Sequence, residues 1–345
     1  MWHKKFFSLE LGVLPVRYLL WPIIWLAALG CAHYYLNFES TERVVVRMGY
    51  MPVITNFSAP ILDYASVNTT GTRFKALKFA SFAEMAEALR NRQIDAAFII
   101  APLAIVLRQQ KSDVNIVLIG NRHESSFVTR SDLNINEFSQ LEGRTIAVPM
   151  RFSGHNLSAL GLVKQHNMEG KIKIVEMNPP DMAFALESGS LDAYYVGEPF
   201  AAKTLQTGKA DLLFYVEDIQ PGFICNLVIV NKSFIDQHPE RVQLFVESAA
   251  RAGMWVANNK PEAASIAAKY WNSDVGLIQY AMNTPENRII YDQFIPKQDQ
   301  IQEISNAMLE FGLSESSVID GLIDDSFAIS ANLENIATIE SIITE

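Results

Sequence analysis

Short apolar runs of strand length alternate along most of this chain with amphipathic stretches of helical period. Residues 44–50, 74–79, 95–100 and 114–120 are apolar runs rich in β-branched and aromatic side chains, and they predict strands. Between them, Ser58 is placed to cap a helix with Pro60 in its first turn, and Ser81 to cap one through Arg92. In the second of these, Phe82, Met85, Ala86 and Leu89 share a face. Ala101-Pro102 opens another helix. The alternation then returns, with strands at 145–150, 172–177, 191–196 and 212–216 and helices at 156–165 and 179–188. Glu198-Pro199 opens one more helix. The polar stretch 121–142 breaks the rhythm and reads as a crossing between two lobes. A strand at 223–230 returns to the first lobe, and helices follow at 239–258, 261–270 and 298–311. Such alternation implies an α/β chain whose lobes are each a mostly parallel sheet flanked by helices.

Half of this pattern occurs twice. Met85, Ala86, Ala88 and Leu89 stand 97 positions before Met182, Ala183, Ala185 and Leu186. At the same offset Asp95 answers Asp192, Pro102 answers Pro199 and Pro52 answers Pro149. A repeat in register and without insertions predicts one supersecondary block used in both lobes.

With 49% hydrophobic and 19% charged residues, 345 residues can bury a sizeable core. The net charge of −10 and the lack of a basic run exclude nucleic acid as a partner. At the N-terminus, Lys4-Lys5 precede an apolar run at 18–32 that contains Pro22 and is short for a bilayer span. It ends in Ala28-Leu29-Gly30-Cys31. Residues 1–31 therefore read as a signal with a lipidation site at Cys31, or as a retained anchor helix. Either tether places the rest of the chain outside the cytoplasm. Cys31 and Cys225 belong to no CxxC pair, so neither a metal site nor a redox dithiol is expected, and no cofactor. The remaining divisions are 43–122 for the first part of lobe I, 123–220 for lobe II with the crossing segment, and 221–345 for the return strand and C-terminal helices.

The segments Val46-Arg47-Met48-Gly49-Tyr50-Met51-Pro52-Val53, Ser153-Gly154-His155-Asn156-Leu157, Pro179-Pro180-Asp181-Met182 and Val196-Gly197-Glu198-Pro199-Phe200-Ala201-Ala202 together resemble one family. It is the nitrate/sulfonate/bicarbonate-type substrate-binding proteins of ABC importers, and the likeness covers roughly 43–270. The resemblance implies a two-lobe periplasmic-binding fold that catches a small anion or organic acid. It also implies permease and ATPase subunits as partners, a monomeric receptor, and a periplasmic, membrane-anchored location. The chain departs from the family at Val67-Asn68-Thr69-Thr70-Gly71 and at Arg151-Phe152.

Ligands of open α/β sheets bind beyond the C-terminal ends of strands, where helix N-termini offer N–H groups to an anion. Those points are residues 51–58 with Asn56, Ala101-Pro102, residues 150–156 with Ser153, and residues 197–199. His155 is a candidate donor whose charge could change near neutral pH, or else a cap; in the nitrate and bicarbonate branch of the family the matching histidine meets the ligand. Glu198 either orients His155, meets the ligand or holds its helix. Ser125 and Ser126 reach from the hinge side or are turn residues. Lys232 reads as a surface cation with a cleft role as the alternative, and Trp255 and Trp271 read as core. No GxSxG, HExxH or Walker motif is present, and His123-Glu124 beside Ser125-Ser126 does not make a triad. The rival readings are an enzyme of the same fold or a sensor lipoprotein.

Overall fold

The computed structural model describes residues 17–37 and 43–344. The basic N-terminal residues of the expected signal lie outside them. Helix α1 (Arg17–Asn37) forms one unit and residues from Val44 onward form the other. Pro22 is accommodated in the second turn of α1 and does not end it. Leu20, Trp21, Ile23, Ile24, Trp25, Leu26 and Leu29 are all exposed, so α1 presents apolar side chains on every face between Leu20 and Leu29. Cys31 is exposed and free. No helix of the described residues is long and apolar enough to cross a membrane.

The second unit opens with β1 (Val45–Tyr50), α2 (Ser58–Ala65), β2 (Arg73–Lys78), α3 (Phe82–Arg90), β3 (Ala96–Ile100), α4 (Ala101–Gln109) and β4 (Val114–Ile119). The chain then crosses to β5 (Ser125–Arg130), β6 (Thr145–Val148), α5 (Gly154–Gln165), β7 (Lys173–Glu176) and α6 (Pro179–Glu187). That lobe continues with β8 (Ala193–Gly197), α7 (Phe200–Gln206), β9 (Ala210–Tyr215) and α8 (Val216–Ile219). It crosses back into β10 (Asn226–Asn231) and ends in α9 (Lys232–Gln237), α10 (Pro239–Asn258), α11 (Lys260–Trp271), α12 (Val275–Asn283), α13 (Gln298–Glu310) and α14 (Ser326–Ile329).

The two sheets have equivalent orders, β2-β1-β3-β10-β4 and β7-β6-β8-β5-β9. In each, four of the five strands share one direction, and the strand fourth in order, delivered by a crossing, runs antiparallel to both of its neighbours. The repeat is therefore real, but it is not free of insertions. Met48 pairs with Ala96 in the first sheet, whereas Ile146 pairs with Ala193 in the second. Between β1 and β6 the offset is thus one residue longer than between β3 and β8. The repeated aspartates do the same work in both lobes. Asp95 accepts the N–H of Arg47 (2.8 Å), and Asp192 accepts that of Thr145 (2.9 Å), which ties each helix–strand turn to the neighbouring strand.

Two local expectations are corrected. Ser81 does cap α3, accepting from the Glu84 N–H. Ser58 does not cap α2: it is already inside the helix, and its hydroxyl donates to the Ala249 carbonyl. The polar stretch after β4 is also not merely a crossing, because Ser125–Thr129 is a fully buried central strand. Its serines and threonine hid it from a reading based on hydrophobicity. Around the first sheet the long helix α10 buries Phe245, Val246, Ala249 and Trp255, and Trp271 joins the same core. Burying one such large side chain is worth about 1.5–3 kcal/mol. The C-terminal tail is pinned by Arg251, whose buried guanidinium donates to the carbonyls of Asn332, Glu334 and Ser341.

Candidate functional site

The two crossings between the lobes are hydrogen-bonded to each other. The His123 N–H donates to the Phe223 carbonyl, the Gly222 N–H to His123 Nε2, and Arg122 Nη1 to the Gly222 carbonyl. His123 and Glu124 both adopt left-handed backbone, with φ of 73° and 57°, which is uncommon for residues other than glycine. At this kink the Glu124 carboxyl meets the start of the segment that leads into α7. Its Oε2 accepts the Glu198 N–H at 2.9 Å, and its Oε1 faces the Ser125 hydroxyl at 3.3 Å.

Four of the expected residues come together here. The Ser125 hydroxyl lies 2.9 Å from His155 Nε2, and the Ser126 hydroxyl donates to Glu198 Oε1 at 2.6 Å. Asn56 and Ala101 join through the second crossing: Asn226 Nδ2 donates to Asn56 Oδ1 (2.8 Å), and the Ala101 N–H donates to the Cys225 carbonyl. Ser153 caps α5, accepting from the Asn156 N–H, and Pro102 is buried in the first turn of α4. Lys232 lies apart on the surface, paired with Asp236.

Of the three roles read for Glu198, the structure shows the helix-holding one, and His155 differs from its expectation. Glu198 does not orient His155; its second oxygen accepts the Ala202 N–H and fastens α7. His155 is packed between the rings of Tyr195 and Phe223, and this burial holds its pKa down to about 3, so the imidazole stays neutral where a charge change was expected. At two of the four helix starts expected to receive an anion, a backbone N–H is already taken by the protein itself. The Ile54 N–H donates to the Glu198 carbonyl, and the Glu198 N–H is held by Glu124.

Reasoning from sequence missed Glu124, Cys225, Asn226 and above all Arg288. Arg288 follows α12, in a segment tied to the first lobe through the Ile290–Arg122 bridge. Its guanidinium is buried against the second lobe. Nε and Nη2 fork onto Glu217 at 2.7 and 3.0 Å, Nη2 also donates to the Ser125 carbonyl, and Nη1 donates to the Ser126 hydroxyl. The ring of Tyr215 lies 4.1 Å beneath it. Glu198 Oε1 is 3.9 Å from Nη1. No spacing in the sequence links position 288 to 125, 126 or 217. Its one signal is an arginine beside the apolar pair Ile289-Ile290.

Burial raises the pKa of Glu124 well above the usual carboxylate value, and that of Glu198 less so. It also pushes up the Cys225 thiol, whose Sγ is 4.0 Å from His155 Nε2. Cys225 and His155 are therefore a thiol beside a neutral imidazole, not an ion pair. Among the described residues no group of His, Cys, Asp and Glu is arranged to hold a metal.

Two α/β lobes joined by paired crossings over a buried polar cluster define a periplasmic-binding-protein-like fold. The chain belongs to the NMT1-like family, whose model matches residues 39–272. It is 27% identical over 292 residues to a taurine-binding periplasmic protein of Escherichia coli (strain K12), covering 77% of this chain and 90% of that one. The same fold occurs in the ligand-binding component of an ABC-type import system from Staphylococcus aureus, solved with zinc bound. That likeness has a TM-score of 0.76 at 21% identity, over 85% of this chain and all of that one. The periplasmic nitrate-binding protein NrtA of Synechocystis PCC 6803 follows, with a TM-score of 0.73 at 15% identity over 84% and 88% of the two chains.

Proposed function

We propose that this chain is the substrate-binding component of an ABC importer. It captures a small anion or organic acid between its lobes, outside the cytoplasm, and delivers it to a permease driven by an ATPase. The observation that carries this reading is the buried polar cluster at the paired crossings, to which both lobes contribute, in a chain of the NMT1-like family. Hinge motion about the crossings would open and close it. Arg288 is the positive charge an anionic group would meet, in competition with Glu217. The exposed apolar side chains of α1 between Leu20 and Leu29 and the exposed Cys31 support a membrane tether, by an acyl chain or by this helix lying in the membrane interface.

The test is a thermal-shift screen of the purified chain against nitrate, bicarbonate, alkanesulfonates and carboxylates. A ligand that binds only the folded state raises the melting temperature by mass action. A saturable shift that weakens in Arg288→Lys and His155→Ala supports the reading. A folded protein that answers no compound on the panel overturns it.

A further inference from the structure

The turn Met150-Arg151-Phe152 leads from β6 into α5 and takes no part in the polar cluster at the crossings. It is held firmly in the second lobe. The Arg151 N–H donates to Glu176 Oε2 at 2.9 Å, and the Arg151 carbonyl accepts from Asn156 Nδ2 at 2.8 Å. Its apolar side chains nonetheless belong to neither core cluster of that lobe. Met150 and Phe152, both half-buried, pack against the cluster that α3, α4 and one face of β3 build in the first lobe, and Leu157 of α5 is buried in it. Phe152 lies in a groove of about 870 Å³ whose other lining residues, Val106, Gln109, Leu313 and Val318 among them, all come from the first lobe.

The repeat explains why this turn reaches across. At the offset that takes Met48 of β1 to Ile146 of β6, Ile54 corresponds to Phe152. Ile54 spans the lobes in one direction, with its N–H on the Glu198 carbonyl before α7. Phe152 spans them in the other, beside α4, and α4 and α7 are counterparts because Pro102 answers Pro199. Each lobe thus presents its first strand-to-helix turn to the other. One contact is a backbone hydrogen bond and the other is apolar. The exposed Arg151 lies over the Phe152 ring, 5.3 Å from its centroid. Farther along α5, Lys164 pairs with Glu310 of α13, both of them exposed.

We propose that Phe152 is a clasp that holds the lobes closed from outside the ligand cleft. When the lobes part, Met150, Phe152 and Leu157 must all enter water, so apolar burial favours the closed arrangement. Phe152 is therefore a positioning residue: it sets how often the cleft is closed without touching what the cleft holds. It stays half-exposed in its groove, which keeps the contact weak enough to release, as a clasp on a hinge must be. The inference rests on the hinge motion of the receptor reading, and it concerns the lobes alone.

Distances between spin labels test this in the full chain with no ligand added. Cys31→Ser removes the exposed thiol, Cys225 is buried, and the labels go on Lys75→Cys and Lys173→Cys. These exposed positions lie on β2 and β7, the sheet edges away from the crossings, where opening separates the lobes most. The parent should show a short-distance, closed population. Phe152→Ala should shift the ratio of closed to open about fivefold toward open, roughly 1 kcal/mol, with unchanged circular dichroism. Phe152→Leu should restore most of the closed population. Leu313→Ala, which empties the seat from the first lobe, should open the cleft too, and the two alanines together should do little more than either alone. Glu310→Gln should shift the ratio by less than about twofold, because an exposed pair is screened by water and salt. Distances in Phe152→Ala equal to the parent's overturn the inference, and so does a parent without a closed population. Effects of Phe152→Ala and Leu313→Ala that simply add overturn it as well. None of these outcomes touches the ligand, whose reading stands or falls with the thermal-shift screen.

Discussion

The backbone N–H of Ile54, in the first lobe, donates to the carbonyl of Glu198, in the second, across 2.8 Å. Each residue sits just past the end of a strand, at the turn into a helix, where binding folds of this kind place their ligands. The lobes therefore meet through the groups that sequence reasoning assigned to a ligand. Opening the cleft must break this bond along with those of Arg288.

Arg288 is the larger of the two ties. Removing one partner of a buried ion pair leaves the other uncompensated, at a cost on the order of 3–5 kcal/mol. Arg288→Met should therefore lower the unfolding free energy by about that amount, measured by urea titration. Adding Glu217→Gln should recover part of the loss, because the stranded carboxylate is then gone.

His155 gives a pH signature of definite sign. Its folded pKa, about 3, is below the ordinary 6.5, so the unfolded chain takes up the proton first. The stability this group contributes is whole above 6.5 and is lost as pH falls toward 3. Glu124 and Glu198 are raised and act the opposite way: their contribution is present in acid and lost as pH rises through their folded values. The comparison that isolates the histidine is between variants. The melting temperature of the wild type should fall more steeply than that of His155→Asn as pH drops from about 7 to about 5.

Gly120 stands where β4 leads into the first crossing. A Cβ at this position would lie 2.4 Å from the Thr55 carbonyl oxygen, which is backbone and cannot swing aside. Gly120→Ala should cost about 1–3 kcal/mol by overpacking, read as a lower urea midpoint with an unchanged slope.

The repeated aspartates should be unequal. Asp95 accepts from the Arg47 backbone and also takes the Arg47 guanidinium at 2.8 and 3.1 Å. Asp192 holds the Thr145 N–H, but its nearest arginine nitrogens, on Arg130 and Arg144, stand at 3.6 and 3.7 Å. Replacement of either by Ala should cost about 1–3 kcal/mol for the lost backbone bond. The loss at Asp95 should exceed that at Asp192 by a few tenths to about 1 kcal/mol, since Arg47 is half-exposed. Parallel urea titrations read the difference.

Much of this molecule was written in local pattern. The β-branched runs at β1, β3 and β4, the Ser81 cap and the offset between Asp95 and Asp192 are short-range signals, and they determined the α/β alternation and the two similar lobes. The sequence also placed His155 and Glu198 at helix starts, because those positions follow from where strands stop, and Ser125 and Ser126 in the crossing. It could not determine that β5 is a buried strand, because Ser125, Ser126 and Thr129 read as polar until their neighbours β8 and β9 cover them. Nor could it join Arg288 to Glu217, Ser125 and Ser126, or turn His155 neutral. Those outcomes depend on which surfaces meet across the crossings and on the water they exclude. Pairing over so many positions, and the loss of solvent that shifts a titration, exist only once the chain has folded.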